Sequence, residues 1–596
     1  MLQSLSTVDI IVVVGLITFL VIASMYSSFN KKDADTYFMA GHSLRWWSVA
    51  GSIFGTNVHA QQIIGMMGIG YSIGFAQSHY EVWAIPAILV LTYVFIPIYR
   101  KRNFFTLSQF LESRFNAHAR LAYTILMISF IMIQLIGGFY IGSRTLGLLT
   151  DGTSFELSYL NGVLIIAFIS VMFTVFGGME SVVIADNILT VIMIIAVVLM
   201  GTLTYMQPEI GGFANLLKMD AADANKMHLY LPTNHPKLPW LGIFTGLSIL
   251  NLFYWTTNQY QVQRVLAAAT ERDAKLGSIA AGYLKLIIPF FSIGAGVAAY
   301  YLFKARYGEG VIKPDDTFLT LLKTVVPVGY GFVGLILAGL TAAIFSAIYS
   351  MMNSVSTMMA YDVYKKYIKP EANDKSTVRF GQIMVAVMCM IAVVLAMVTF
   401  DPNSSDNFFL KIANQTSYIK PGLVIVFFWG ILWHKTNPVA AVIVLLGSPV
   451  IGFFCDYIYD HHLVQYSFVK DTFGEQFNFL YRVFAIFVLG SVLVYVLSIK
   501  LNGNKVINKD NELTIPLSGI LNTILPFIII QVPLIILAYN GLVGQHILAF
   551  IAAALSMIMF FWYKNKYDKT TYLLHSDIFY AGLLTSTMLF IMYFFA

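Results

Sequence analysis

The sequence predicts an all-α polytopic membrane protein of about 14–16 transmembrane spans, both termini outside, arranged around two halves of opposite direction. Three observations carry this. Only 11% of the 596 residues are charged and 58% are hydrophobic, whereas a soluble chain carries about 25% charged residues. Apolar stretches long enough to cross about 30 Å of hydrocarbon recur along the whole length. Two of them are interrupted by amides and hydroxyls at corresponding places. So little charge over such a length excludes a soluble enzyme, a disordered scaffold and a fibrous protein. The two cysteines, Cys389 and Cys455, lie in apolar stretches and offer neither a disulfide framework nor a metal spacing.

Sixteen candidate spans follow in order: 8–27, 46–70, 79–99, 121–149, 158–176, 182–205, 238–262, 278–303, 327–360, 380–399, 407–433, 438–456, 483–499, 517–539, 546–563 and 577–596. They are numbered 1 to 16 below. With the N-terminus outside, 23 of the 36 Lys and Arg fall in inner loops, 9 in outer loops and 4 (Arg144, Lys285, Lys411, Lys420) within spans. That steady bias supports the count, because one missed or invented span would invert every loop after it. It also reads the net charge of +6 as topology, not as a nucleic-acid footprint. Residues 1–8 contain no Lys or Arg, so the first span lacks the positive flank of a cleaved signal and is expected to be retained.

Span 2 carries Asn57, His59, Gln61 and Gln62; span 7 carries Asn251, Thr256, Thr257, Asn258 and Gln259. At mid-membrane such residues belong where unwound backbone lines a cavity or is buried in protein. Span 2 runs outward, span 7 inward, five spans later. This predicts an inverted-repeat carrier with its binding site between the two breaks. Residues 46–205 form repeat one and 238–433 repeat two. Span 1 (8–27) and the spans in 438–499 are peripheral to this 1–499 core, and 500–596 adds further C-terminal spans. No GxxxxGK[ST] loop occurs, which argues against a pump with its own ATPase.

Intramembrane charge is costly and marks function by default. Glu81 opens span 3 and Lys285 lies in span 8. Facing one cavity, each neutralises the other and still offers hydrogen bonds to a polyhydroxyl solute; the bland alternative is a structural ion pair. Tyr80, Phe253, Tyr254 and Trp255 suit the apolar face of a sugar ring, or plain core packing. In span 9, Ser346, Ser350, Asn353 and Ser354 share a stripe that suits a hard cation or small-residue helix packing. Asp186 in span 6 reads as an unpaired carboxylate near the inner end. His59 is a candidate proton carrier, though a neutral, hydrogen-bonded ring is the commoner state.

Four segments extend this reading: DTYFMAGHSLRWWSV (35–49), FTLSQFLESRFN (105–116), FGGMESVV (176–183) and LNLFYWTTNQYQVQR (250–264). From about residue 5 to 500 the chain resembles the sodium/solute symporter family, and within it the sodium/glucose and sodium/galactose branch. The resemblance implies a leucine-transporter-like five-plus-five inverted repeat with peripheral helices. It implies a sugar site at Gln62, Glu81, Asn251 and Lys285, an inner stacking ring at Tyr254 with Asn57 beside it, and an outer gate of Met66, Tyr80 and Phe409. It implies a sodium site made by the carbonyls of Gly55, Val58 and Ala343 and the hydroxyl of Ser346.

The chain departs from that pattern at Ala347, where a second sodium-binding serine is missing, and at Ala84 and Ala413, which replace sugar contacts. Gln134 stands where relatives that take acidic solutes carry a cation, which favours an uncharged solute. The expectation is therefore a sodium-driven symporter for a neutral monosaccharide such as glucose or galactose, in the cell (inner or plasma) membrane. It is not an enzyme. Its partners are the solute, sodium as coupling ion and the bilayer, with no other cofactor, no nucleic acid and no obligate protein partner. The rivals are the same fold serving inositol, an amino acid or a carboxylate; a sodium-independent or proton-coupled carrier; and a membrane sensor.

Overall fold

The computed structural model describes residues 6–26, 33–58, 60–101, 104–150, 157–399, 408–502, 517–539, 542–568 and 572–596. His59 lies outside the described residues. All sixteen apolar stretches are helical. Among the described residues, ten helices are long and apolar enough to cross a membrane, and the bent pair Phe409–Thr416 and Lys420–Leu432 makes an eleventh. Spans 1, 5 and 14 are shorter apolar helices (Thr7–Leu20, Tyr159–Val175, Leu525–Ala538), and spans 2 and 7 are the interrupted ones.

Span 2 consists of Trp46–Asn57 and Ala60–Ser72, separated at Val58 (φ −92°, ψ 77°). Its first half lies against spans 6 and 8. Gly51 makes the approach to span 6 possible, since a Cβ there would stand 1.9 Å from Asn187 Oδ1. The Thr190 hydroxyl donates to the Gly51 carbonyl at 2.7 Å.

Span 7 is helical over 240–257, turns extended at Asn258 (φ −88°, ψ 118°) and resumes as Gln259–Leu266. The last turn before the break, Phe253–Thr257, is π-helical, a local widening that often marks functional sites. The break frees two carbonyls, and tyrosine hydroxyls from other spans take both. Tyr99 of span 3 donates to Thr256 O and Tyr123 of span 4 to Thr257 O, each at 2.8 Å. This is the protein-side satisfaction that unwound backbone needs at membrane depth.

The inner ends of the two broken spans are tied together. Leu44 N donates to Ala267 O at 3.2 Å and Ala269 N to Leu44 O at 2.8 Å. The 176–183 motif is explained by Gly178, whose φ of +61° kinks the Tyr159–Tyr205 helix between spans 5 and 6. A Cβ there would lie 2.8 Å from the Tyr37 carbonyl, and the Tyr37 hydroxyl donates to Thr174 O at 2.9 Å. Two motifs distant in sequence thus form one inner corner.

Spans 12 and 13 pack on each other and on span 11. Arg482 of span 13, counted by the charge rule as an outer-loop residue, is buried. It donates to Asn414 O (3.2 Å) and Ser417 Oγ (2.6 Å) at the 52° bend of span 11 and pairs with Asp456 at 2.9 Å. Span 16 (Asp577–Phe594) packs on span 15 and on span 8, where the Tyr283 hydroxyl donates to Tyr580 O at 2.7 Å.

Candidate functional site

The residues expected around the solute converge. Glu81 is fully buried at the outer start of span 3. The Gln62 side-chain amide donates to its Oε1, and Lys285 Nζ stands 2.6 Å from its Oε2. Lys285 also donates to Asn57 Oδ1 at 2.5 Å, and its ammonium lies 5.5 Å from the Trp255 ring centroid. Both halves of span 2, span 3 and span 8 therefore meet in one hydrogen-bonded cluster. Asn251 of span 7 donates to the carbonyl of Trp83, two residues after Glu81, at 3.1 Å. Each ion is paired and further hydrogen-bonded, which a buried ion pair requires.

Tyr254 lies beside this cluster, its ring 5.8 Å from that of Trp255 and 6.1 Å from that of Tyr260. Its hydroxyl lies near the side chains of Asn57 and Tyr260. Asn57, expected next to it, lies beside that hydroxyl and also accepts from Lys285 at 2.5 Å. On the outer side the Tyr80 and Phe409 rings meet edge to face at 5.6 Å. Gly65 of span 2 lies against Phe409, Met66 is fully buried, and Leu231 and Leu238 of the outer loop pack over the two rings.

Two of the residues expected to hold sodium, Gly55 and Ser346, lie against Asp186, and here the sequence reading is corrected. Asp186 is not unpaired. It is fully buried and accepts from Ser52 (2.6 Å), Thr56 (3.3 Å), Tyr349 (3.4 Å) and Ser346. Arg264 stands 3.6 Å from Oδ2. Gly55 lies against the Asp186 backbone, and Ala343 and Ala347 are buried on the facing helix. Val58 is the non-helical residue of span 2, its N–H bonded to Phe54 O at 2.7 Å.

Arg264 had been counted with an inner loop because it follows the apolar part of span 7. It is fully buried, donating to Ser350 Oγ at 2.5 Å, Ser52 Oγ at 3.2 Å and Tyr260 O. The polar stripe of span 9 is thereby divided: Ser346 serves Asp186, Ser350 serves Arg264, and Ser354 donates to Gln263 at 2.7 Å. The sequence signal for this centre was the Ser52/Thr56 spacing, which points two hydroxyls along one face of span 2.

A buried centre of polar groups between two broken helices, with hydroxyls of a third helix beside it, is transporter architecture. The sequence profile described as "Sodium:solute symporter family" matches residues 37–447. The chain belongs to the sodium:solute symporter family. Among curated relatives, this symporter is 32% identical over 473 residues to the sodium/glucose cotransporter of Vibrio parahaemolyticus, covering 75% of this chain and 84% of the relative. It is 28% identical over 481 residues to sodium/myo-inositol cotransporter 2 of Mus musculus, covering 76% and 70%. Among solved structures, it shares the fold of a Na+-coupled sialic acid symporter captured substrate-bound and outward-open, with a TM-score of 0.69 at 19% identity, over 83% of this chain and 98% of the other. The symporter is thus a sodium-coupled secondary transporter, not an enzyme, and a multi-pass protein of the cell membrane.

Proposed function

We propose that this symporter imports a small neutral sugar, a monosaccharide such as glucose or galactose, by alternating access, with both termini outside. The observation that carries the reading is the Gln62–Glu81–Lys285–Asn57 cluster. It offers a carboxylate acceptor, an ammonium donor and amides that do both, with Trp255 and Tyr254 as apolar plates beside them. Hydroxyls of one ring can exchange into these bonds without leaving a charge unpaired.

In this scheme sodium binds among Gly55, Val58, Ala343 and Ser346, joining the broken span 2 to span 9. It favours the outward-open form in which the solute site is assembled. Solute then draws Met66, Tyr80 and Phe409 shut, and inward opening moves Tyr254 aside. Each ligand must prefer one conformation, because equal affinity shifts nothing. A sodium–solute coupling of about 1–3 kcal/mol is the ordinary range.

The experiment is uptake of labelled sugar into proteoliposomes with and without an imposed sodium gradient. Accumulation that collapses when sodium is replaced by choline supports the reading. Uptake indifferent to that replacement overturns the coupling and favours the sodium-independent carrier suggested by Ala347. Counterflow with labelled myo-inositol tests the second solute, which the inositol cotransporter among the relatives favours.

A further inference from the structure

Span 16 lies outside the stretch 37–447 matched by the family profile, yet it packs on both helices that carry the buried ion pair. Asp577–Phe594 rests against the turn His79–Val82, which holds Glu81, and against Glu271–Lys285, which ends in Lys285. Phe595, the buried residue that follows this helix, continues the contact. Its ring centroid stands 4.7 Å from that of Phe75, which precedes Glu81 by little more than a helical turn, and 6.2 Å from that of Phe290, placed similarly after Lys285. The Phe75 and Phe290 rings are themselves 6.0 Å apart. The three rings close on one another, with Phe595 touching the approach to each member of the pair.

The backbone makes a second connection. Leu229 of the outer loop donates its N–H to the Phe595 carbonyl at 2.8 Å, and its own carbonyl accepts from His79 Nε2 at 3.1 Å. His79 and Leu229 are fully buried, and Glu81 shares the same short turn as His79. Buried hydrogen bonds are costly to leave unmade, so the loop, the tip of span 16 and the start of span 3 hold one relative position. On the span 8 side the Phe290 carbonyl, within the π-helical turn Pro289–Ile293, accepts from the Tyr205 hydroxyl of span 6. Close-packed interiors transmit strain, so a change of volume at Phe595 is felt on both sides of the pair.

We propose that Phe595 is a positioning residue: it fixes the separation of the elements that carry Glu81 and Lys285 and thereby sets the affinity of the solute site. The inference rests on the reading of that pair as part of the solute site. Ordinary packing at this position would stabilise the fold without changing affinity.

Sodium-driven uptake of labelled galactose into proteoliposomes is measured for the wild type, Phe595→Ala and Phe595→Leu, the last keeping apolar bulk if the alanine variant fails to fold. The galactose concentration for half-maximal uptake is expected to rise several-fold in Phe595→Ala, and less in Phe595→Leu, with the maximal rate little changed. Thermal unfolding in detergent without sugar gives a readout that does not depend on the solute. Phe595→Ala is expected to lower the melting temperature less when Glu81→Gln and Lys285→Met are also present than in the wild-type background, because the pair it positions is then gone. An unchanged half-saturation, a loss confined to the maximal rate, or equal melting losses in the two backgrounds overturns the proposal. A wild-type protein that takes up no galactose counts against the sugar reading alone, and the melting comparison then decides this one.

Discussion

Lys285 Nζ and Glu81 Oε2 stand 2.6 Å apart in a fully enclosed part of the membrane core. Removing one partner strands the other charge, at a cost of about 3–5 kcal/mol. Glu81→Gln and Lys285→Met are therefore each expected to lower the melting temperature and abolish uptake. Combining them removes both charges and is expected to restore most of the stability while uptake stays absent. Thermal unfolding and proteoliposome uptake of the three variants separate the two effects. A double variant that transports would take the pair out of the solute site.

Tyr99 and Tyr123 hold the carbonyls freed where span 7 breaks. Tyr99→Phe and Tyr123→Phe each leave one buried carbonyl unsatisfied, costing about 1–3 kcal/mol. Because both hydroxyls serve one break, the pair is expected to be non-additive. A double-mutant cycle in thermal unfolding reads the coupling, and a value near zero would mean that the break does not depend on these hydroxyls.

How far the architecture could be read from sequence follows from which forces act locally. Spans and their interruptions were legible because bilayer thickness and the cost of unsatisfied amides act on consecutive residues. The Glu81–Lys285 meeting was legible because two charges within apolar spans have few other ways to be tolerated. The Asp186–Arg264 pair was not. Arg264 stands at the inner end of its span, where a cation is also expected from topology alone, and its burial depends on the break six residues earlier. Arg482 misled in the same way on the outer side. Loop arginine and core arginine look alike until the partners' depth is known.

His235 belongs to the outer loop that roofs the gate. Its Nδ1 accepts from Leu238 N at 3.0 Å and Lys237 N at 3.3 Å. Burial, then the nearby Lys237 charge, push its pKa below the usual histidine value. The folded form thus holds fewer protons than the unfolded one around pH 6.5, so local stability is present above that range and falls as pH drops through it. The Leu238 amide is expected to lose hydrogen-exchange protection between about pH 7 and pH 5, corrected for intrinsic exchange. In His235→Ala protection should be low and independent of pH. Protection that is pH-independent in the wild type would rule out this titration.

Arg482 satisfies the bend of span 11, and that bend connects Phe409 at the outer gate to the inner half-helix. Arg482→Met removes the cation from Asp456, which keeps the Tyr418 hydroxyl, and frees the Asn414 carbonyl, so a loss of about 1–3 kcal/mol is expected. Asp456→Asn combined with Arg482→Met removes the charge imbalance and isolates the effect on the bend. In that double variant the symporter is expected to stay folded but to hold Phe409 less firmly against Tyr80, raising the solute concentration for half-maximal uptake more than it lowers the maximal rate. An unchanged half-saturation would make Arg482 a purely stabilising residue.

Ala347 lies one residue beyond Ser346, whose hydroxyl bonds to Asp186, and is itself buried. If sodium sits among Gly55, Val58, Ala343 and Ser346, Ala347→Ser returns one oxygen to the ion's surroundings. A single well-placed neutral donor–acceptor contributes about 0.5–1.5 kcal/mol, so the sodium concentration for half-maximal uptake is expected to fall by about 2–10-fold. Ser346→Ala is expected to move it upward by at least as much, because Asp186 loses a donor at the same time. Sodium activation curves of the two variants at saturating solute make the comparison. Opposite shifts locate the ion between spans 2 and 9. Curves that coincide with the wild type in both variants would put sodium elsewhere, and Asp186 would then serve only to hold Arg264 and the inner half of span 7 in place.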